Sequence, residues 1–321
     1  MARQVAFERV SGVPKLGGFS AVRTFVSVNG EGLIFYVEDT SRKYVDQKVE
    51  LEGGVVAPTV WMEEPVHGRL LILSDVVRRI IEVPRLNLAF PELDVFPDGR
   101  VLIAAARSAW RGEDDFDYNG MIVDPDMDIF RDVLLLGDGI QDVAVDSSGR
   151  VWASYFDEGI LGNFGWGHPG PDPVGASGLN CFTDYGTLIW SFPVDDEGPM
   201  TECYAMNVSE DRVAIYTYYS EFKLCRISAD FETEFFETDL QGCRHFAISD
   251  SHVLFTGQWN DEIDSGYVGR LENGRICGVE KIRFSLPGGL KLTEGQFVGR
   301  GSKLHFFDKG SWYSVHIDMV A

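Results

Sequence analysis

The chain has 321 residues, 45% of them hydrophobic and 12% aromatic, so it can bury a sizeable core. Its 50 acidic and 28 basic residues give a formal net charge of -22, which disfavours binding to nucleic-acid phosphates or anionic lipid. We therefore expect a folded protein that binds neither nucleic acid nor membrane.

The five cysteines are odd in number and lack Cys-x-x-Cys spacing, so we expect reduced cysteines in the core. The segment Met1–Arg9 carries charge before a signal-peptide core can form. No later apolar run approaches the roughly 18 residues that span a membrane. These features predict a cytoplasmic protein, and we expect a monomer.

In chain order, the predicted elements are short strands rich in branched and aromatic residues. A first strand over Gln4–Val10 precedes strands over Phe25–Val28, Leu33–Val37 and Leu70–Leu73. The next segment, Ser74 to Ile81, is the best helix candidate, but it also alternates as a strand, and the surrounding strands favour that interpretation.

A strand, a tight polar turn and a second strand then recur along the chain. The clearest copies are Val95-Phe-Pro-Asp-Gly-Arg100-Val-Leu-Ile and Val145-Asp-Ser-Ser-Gly-Arg150-Val-Trp-Ala. Aligned on this turn, seven second strands are predicted, and they begin near Gly32, Arg69, Arg100, Arg150, Arg212, His252 and Lys303. Their spacing of roughly 30 to 60 residues brackets that of a four-stranded propeller blade.

The last copy ends at Ala321 with three strands, Gln296 to Gly299, Lys303 to Phe307 and Trp312 to Ile317. The N-terminal strand Gln4–Val10 can supply the fourth strand and cover the open edge. The prediction is an all-β, seven-bladed β-propeller of four-stranded antiparallel blades, forming one domain over residues 1–321.

In this repeat pattern the chain resembles the seven-bladed β-propeller superfamily with WD40-like and YVTN-like repeats. The run Ser154-Tyr-Phe-Asp-Glu-Gly159, continuing to Gly175-Ala-Ser-Gly178, resembles segments of uncharacterised bacterial propeller proteins. Trp-Asp dipeptides are absent. The resemblance implies an architecture and no particular activity.

Three long insertions fall between second and third strands: Ser108 to Asp117, Phe156 to Ala176 and Gln258 to Asp264. Propeller topology places all three on one face, which is the better candidate for a site than the opposite face of short turns. The ligand-binding candidates on this face are Trp110, Arg111, Asp157, Glu158, Trp166, His168, Tyr219, Gln258 and Trp259.

Several charged residues occupy equivalent places where the innermost strands enter the channel. The carboxylates Glu92, Asp142, Glu202 and Glu294 are the metal-ligating candidates, and Arg244 and Arg23 are further members of this ring. Crowded carboxylates raise one another's pKa or recruit a cation. A calcium or magnesium ion at the channel mouth is one interpretation, and an ion-paired rim joining neighbouring blades is the other.

Motifs for nucleophilic or dinucleotide chemistry fail on context. Gly165-x-Gly167-x-x-Gly170 precedes prolines that forbid the required helix, and Ser177 lacks the Gly-x-Ser-x-Gly elbow. The histidines His245, His252, His305 and His316 are expected to be structural.

Three functions remain open, and whether the protein is an enzyme is not decided by the sequence. The preferred hypothesis is a binding protein that holds a small polar ligand or a protein partner on the face with the long loops. The alternatives are a metal-assisted hydrolase or lyase with its site at the channel mouth, and a carbohydrate-binding protein that uses Trp110, Trp166 and Trp259.

Overall fold

The protein is described by a computed structural model that covers residues 2–50, 54, 56–125, 129–193, 200–210, 212–218 and 221–321. Within these ranges nearly all regular structure is β-strand. The helical segments are Arg42–Val45, Asp157–Leu161 and two short 3-10 turns, Pro287–Gly289 and Ile317–Met319. None of the described helices combines the length and the apolar character needed to cross a membrane.

The described strands pair into six four-stranded antiparallel groups, called here sheets 1 to 6. Sheet 1 contains Phe19–Val26, Gly32–Glu38, Trp61–Leu73 and Val77–Leu88, and sheet 2 contains Pro91–Val95, Val101–Ala105, Gly120–Asp124 and Ile129–Leu134. Sheet 3 contains Ile140–Val145, Val151–Tyr155, Leu179–Phe182 and Leu188–Ser191, and sheet 4 contains Glu202–Val208, Arg212–Tyr218, Phe222–Ser228 and Thr233–Glu237. Sheet 5 contains Phe246–Ile248, His252–Thr256, Ser265–Glu272 and Arg275–Ser285, and sheet 6 contains Gln296–Arg300, Lys303–Phe307, Ser311–His316 and Glu8–Gly12.

The sheets follow one another around a central channel. The first strand of each sheet contacts the first strand of the next, and the first strand of sheet 6 contacts that of sheet 1. Apolar side chains fill the space between neighbouring sheets; Leu102, Trp152 and Val213 of sheets 2, 3 and 4 belong to one such cluster. Radial repetition of four-stranded sheets about a channel is the β-propeller architecture.

The described residues supply six blades, whereas the sequence predicted seven. The turn alignment predicts that Arg69 begins the second strand of a separate blade, but Arg69 lies in the third strand of sheet 1 and pairs with Tyr36 and Glu82. The cause is an insertion between the second and third strands of this sheet. It holds the helix Arg42–Val45 and a small hairpin of Lys48–Glu50 with Val56–Pro58, and its length imitates an extra blade.

The N-terminal segment contacts two blades instead of one. Glu8–Gly12 pairs antiparallel with Ser311–His316 in sheet 6, as the closing strand was expected to do, whereas Arg3–Ala6 runs parallel to Arg275–Ser285 of sheet 5. Between them, Phe7 is 1% exposed, and its ring packs against those of Phe284 and Phe306. The predicted single strand Gln4–Val10 is therefore divided at a residue that is buried between two sheets.

Other predictions are confirmed. The segment from Ser74 continues as the strand Val77–Leu88, and the three long insertions do connect second to third strands. All five cysteines are free, and four of them are buried. Several additional strands sit in the loops, including Trp110–Gly112 with Asp115–Phe116.

Candidate functional site

The central channel contains a cavity of about 240 Å³. Its polar lining comes from the first strands of the sheets, because alternate side chains of a strand point to the same side. In sheet 2 this alternation places both Glu92 and Asp94 on the channel wall, while Leu93 between them is 1% exposed. The other polar groups of the lining are Thr24, Gln141, Asp142, His245, Gln296 and Arg300.

Glu92 is an acid of this cavity that has no close cationic partner among the described residues. Burial raises its pKa to about 8, and the nearby charge of Asp142 acts in the same direction. Arg23 opposes the shift, but its guanidinium already donates hydrogen bonds to the carboxylate of Asp46. Glu92 is therefore mostly protonated at neutral pH and can donate a hydrogen bond.

Asp142 faces the same cavity from sheet 3. Burial raises its pKa to about 6, while the backbone N–H of Met206 and the charge of Arg244 act to lower it. Arg244 is itself paired with Glu202 at 3.3 Å, and its guanidinium lies 4.4 Å from the ring centre of Tyr204. Asp142 thus remains mostly ionised at pH 7, next to a neutral Glu92.

The structure brings together most of the ring that the sequence predicted. Glu92, Asp142, Arg23 and Arg244 influence one another electrostatically, and Glu202 joins through Arg244. Glu294 lies outside the cavity, where it is exposed and pairs with Lys309 at 2.5 Å. Asp46, which fixes Arg23, was missed because it belongs to the insertion that was mistaken for part of another blade.

The carboxylates do not assemble into a recognisable metal centre. Across the described ranges no group of three or more His, Cys, Asp or Glu side chains is placed to hold a metal ion. Of the four candidates, Glu294 pairs with Lys309, Glu202 pairs with Arg244, and Glu92 has the raised pKa. A calcium or magnesium site stays a prediction.

The end of the channel away from the long loops is closed by an ion pair. Arg300 of sheet 6 lies 3.2 Å from Asp94, and its Nη2 donates to the carbonyl of Val145 at 2.7 Å. Asp94 also accepts 2.7 Å hydrogen bonds from the backbone N–H groups of Val95 and Val145. Burial raises the pKa of Asp94, while Arg300 and these two N–H groups lower it. The pair joins sheets 2, 3 and 6.

The loop candidates lie away from the cavity, since none of the described ones is part of its lining. Trp166 is only 7% exposed, because its Nε1 donates to the carbonyl of Ser108 and its ring sits in the small core of the loop. Trp110 is half-buried beneath Gly165 and Gly170. A carbohydrate-binding surface would need exposed tryptophan rings, which Trp166 does not offer and Trp110 offers only in part.

Two of the charged loop candidates, Arg111 and Glu158, form ion pairs with other residues. Arg111 donates to both carboxylate oxygens of buried Asp117, at 3.0 and 2.7 Å. Glu158 lies 2.6 Å from Arg107, a guanidinium that is 3% exposed and that also faces Asp138 at 3.1 Å. Asp157 and His168 are exposed. The sequence analysis gives no signal for Asp138, because the strands Gly120–Asp124 and Ile129–Leu134 separate it from Arg107 along the chain.

The remaining candidates lie over sheets 4 and 5. Gln258 accepts a hydrogen bond from the backbone of Gln241 at 2.8 Å. Trp259 is 49% exposed and packs edge-on against Phe222, with 5.3 Å between ring centres. Tyr219 falls outside the described residues. Trp259 is thus the one loop tryptophan among the three candidates that offers a largely open surface.

No protein-family model matches the chain, and no curated protein matches it. Solved structures that match include a virginiamycin B lyase from Staphylococcus aureus, at 11% identity over 96% of this chain and 98% of that chain, with a TM-score of 0.47. A gluconolactonase from Xanthomonas campestris matches at 11% identity over 95% and 99%, with a TM-score of 0.44. The WD40 domain of Pan2 from Neurospora crassa matches at 10% identity over 96% and 94%, with a TM-score of 0.47. Such distant likenesses carry no conclusion about function, and the propeller assignment rests on the strand pairing and the ring of first strands.

Proposed function

We propose that the protein binds a small polar ligand in the central cavity, reached from the face with the long loops. One observation carries the proposal: two carboxyl groups with raised pKa values, Glu92 and Asp142, line the central cavity together with uncharged hydrogen-bonding side chains. Perturbed titratable groups that converge on a cavity are typical of binding and catalytic sites.

The lining defines the ligand's chemistry. At pH 7 Glu92 offers a donor and Asp142 an acceptor, and the amides of Gln141 and Gln296 offer both. A neutral or cationic molecule with several hydroxyl or amino groups fits this set, whereas an anion would meet the charge of Asp142. The cavity of about 240 Å³ is below the roughly 300–1,000 Å³ of sites for drug-sized molecules, so the ligand is small. The position of the cavity in the central channel also favours a small molecule over a protein partner.

The test is a thermal-shift screen of the purified protein against small amines, amino acids, polyols and monosaccharides, followed by calorimetric titration of any compound that raises the melting temperature. Asp142→Asn should weaken binding of such a compound at least tenfold. Glu294→Gln is the matched control, because it removes an exposed carboxylate near the channel but outside the cavity. Equal binding by wild-type protein and Asp142→Asn would contradict the site.

The shifted carboxyl pair also favours a second candidate, acid–base catalysis on the bound ligand. Pairs of acids whose surroundings move their pKa values apart provide a proton donor and a proton acceptor at one pH. Here Glu92 is the acid and Asp142 the base of a hydrolase or lyase. Incubation of a ligand from the screen, followed by NMR, checks for turnover; a rate profile with limbs near pH 6 and pH 8 supports the pair, and unchanged ligand argues for binding alone.

The predicted divalent cation is tested separately. Elemental analysis of the purified protein and a thermal-shift comparison with and without a chelator measure bound calcium or magnesium directly. Bound metal that is lost in Asp142→Asn supports a cation at the channel mouth. No bound metal and no effect of the chelator would contradict the predicted cation site.

A further inference from the structure

A second and larger cavity lies on the opposite face of the propeller. It measures about 500 Å³ and is bounded by the turns between first and second strands in sheets 1, 4, 5 and 6. Arg300 contributes to the lining of both this cavity and the central one. Because this face carries only short turns, the sequence predicts that it is a weaker candidate for a binding site than the face with the long loops. The structure nevertheless has its larger polar cavity of the two on this face.

Three side chains of this cavity form a serine–histidine–aspartate arrangement. The Oγ atom of Ser302 lies 2.8 Å from Nε2 of His316, and Nδ1 of the same ring lies 3.5 Å from Oδ2 of Asp318. All three residues line the cavity. A hydroxyl within hydrogen-bond reach of an imidazole that is oriented by a third group is the signature of an activated nucleophile.

Local structure fixes this arrangement. In sheet 6, Lys303 pairs directly with His316, and the backbone N–H of Ile317 donates to the carbonyl of Ser302 at 2.9 Å. The strand pairing therefore sets the serine beside the histidine. The 3-10 turn Ile317–Met319 then brings Asp318 back to the ring, where its backbone N–H donates to Nδ1 at 3.2 Å.

The histidine has two ways to satisfy its ring nitrogens. If Nδ1 accepts from the backbone of Asp318, then Nε2 carries the proton and donates to Ser302, which is the resting form. If the proton moves to Nδ1, the hydrogen bond from the Asp318 backbone is given up, Nδ1–H faces the Asp318 carboxylate oxygen 3.5 Å away, and Nε2 is free to take the proton of Ser302. Both forms use Asp318, and the partly exposed ring can exchange its proton through water.

We propose that Ser302 is a nucleophile for acyl transfer, with His316 as its base, Asp318 as a positioning residue and small carboxylic esters as the substrate class. Ser302 Oγ bonds to the ester carbonyl carbon while its proton passes to His316 Nε2. The intermediate collapses by breaking the bond to the alkoxide, which leaves as the alcohol with that proton. Water then attacks the acyl-serine with His316 as base again, releasing the acid and restoring the hydroxyl.

The same cavity offers positive charge for the intermediate's oxyanion. Lys303 lies directly across the strand pair from His316, and its side chain is exposed at the cavity. Cationic side chains near a developing oxyanion lower the barrier of acyl transfer. The lining also holds the acids Glu210 and Asp250 and the cations Arg212 and Arg300, and Asp250 is paired with Arg212, so the charges of the cavity do not select between neutral and charged esters.

The test uses the full-length protein with a fluorophosphonate probe and with p-nitrophenyl acetate. We expect the probe to label wild-type protein on the peptide that contains Ser302, and ester hydrolysis to fall at least about 100-fold in His316→Ala. Ser302→Ala should not be labelled. Ser249→Ala is the matched control, because it removes another hydroxyl from the same cavity and should be labelled like wild type.

Asp318→Asn separates positioning from structure. It should lower kcat for the ester about tenfold with an unchanged KM and an unchanged melting temperature, because the carboxylate only holds the reactive tautomer. Glu294→Gln, outside both cavities, should leave labelling intact. An unlabelled wild-type protein, or equal labelling of wild type and Ser302→Ala, would overturn the proposal.

Discussion

The two ends of the central channel surround their carboxyl groups with different partners. Glu92 and Asp94 lie two residues apart on one strand and both face the channel. Asp94 is held by Arg300 and by two backbone N–H groups, whereas Glu92 has only more distant charges around it, one of them the repelling Asp142. The partners of Asp94 join three blades, whereas Glu92, which has no close cationic partner in the part of the chain that the structure describes, keeps a proton that is available for chemistry.

The largest expected effect is on the end closed by the ion pair. Arg300→Met leaves Asp94 buried without its cation, and we expect a loss of about 3–5 kcal/mol in the free energy of unfolding. Arg244→Met removes an exposed cation at the other end and should cost less than about 1 kcal/mol. Urea denaturation at pH 7 measures both. Similar losses would remove the distinction between the two ends.

The second effect is a pH dependence that comes from Glu92. In the folded protein Glu92 keeps its proton up to about pH 8, whereas the unfolded chain releases it near the ordinary pKa of 4.5. The free energy of unfolding therefore falls as pH rises from about 4.5 to 8, by on the order of 2–4 kcal/mol. Glu92→Gln should flatten this decline, most clearly between pH 6 and 8, where Asp142 has already titrated. Denaturation curves that stay parallel for the two proteins would refute a protonated Glu92.

The third effect compares two buried histidines. Burial lowers the pKa of His245 to about 4 and that of His305 to about 3. Because the unfolded chain takes up protons at these two positions below pH 6.5, each histidine lowers the stability of the folded protein as pH falls below that value. His305 accepts a hydrogen bond from Trp312 Nε1 at 3.1 Å and is 3% exposed, whereas His245 lines the central cavity. We expect His305→Ala to cost about 2 kcal/mol and His245→Ala about 1 kcal/mol or less, measured by urea denaturation. The reverse order would mean that His245 is structural.

The smallest effect is expected outside the channel. Glu294→Gln breaks an exposed pair with Lys309, and we expect no measurable change in the denaturation midpoint or in the pH dependence. A clear shift in either quantity would show that Glu294 belongs to the electrostatic system of the channel, as the sequence first indicated.

Much of the site was accessible from the sequence because a repeat places equivalent residues at equivalent radii. Aligning the hairpins was enough to group Glu92 with Asp142 and Arg244. Asp46 and Asp138 could not be found in this way, since each lies in a connection between strands and not in the aligned hairpins. Ser302 and His316 carry no sequence motif, and only the pairing of their strands brings them together.

The sequence by itself determined the strand content, the hairpin turns and the place of the long loops, because these depend on neighbouring residues and on the period of two along a strand. The tertiary structure decided the count of six sheets in the described residues, the division of the N-terminal strand at Phe7 and the protonation of Glu92. These properties depend on which chain segments are neighbours in space and on how fully they exclude water. The neighbours of each segment and the exclusion of water are set by the whole ring of sheets, and no single repeat contains them.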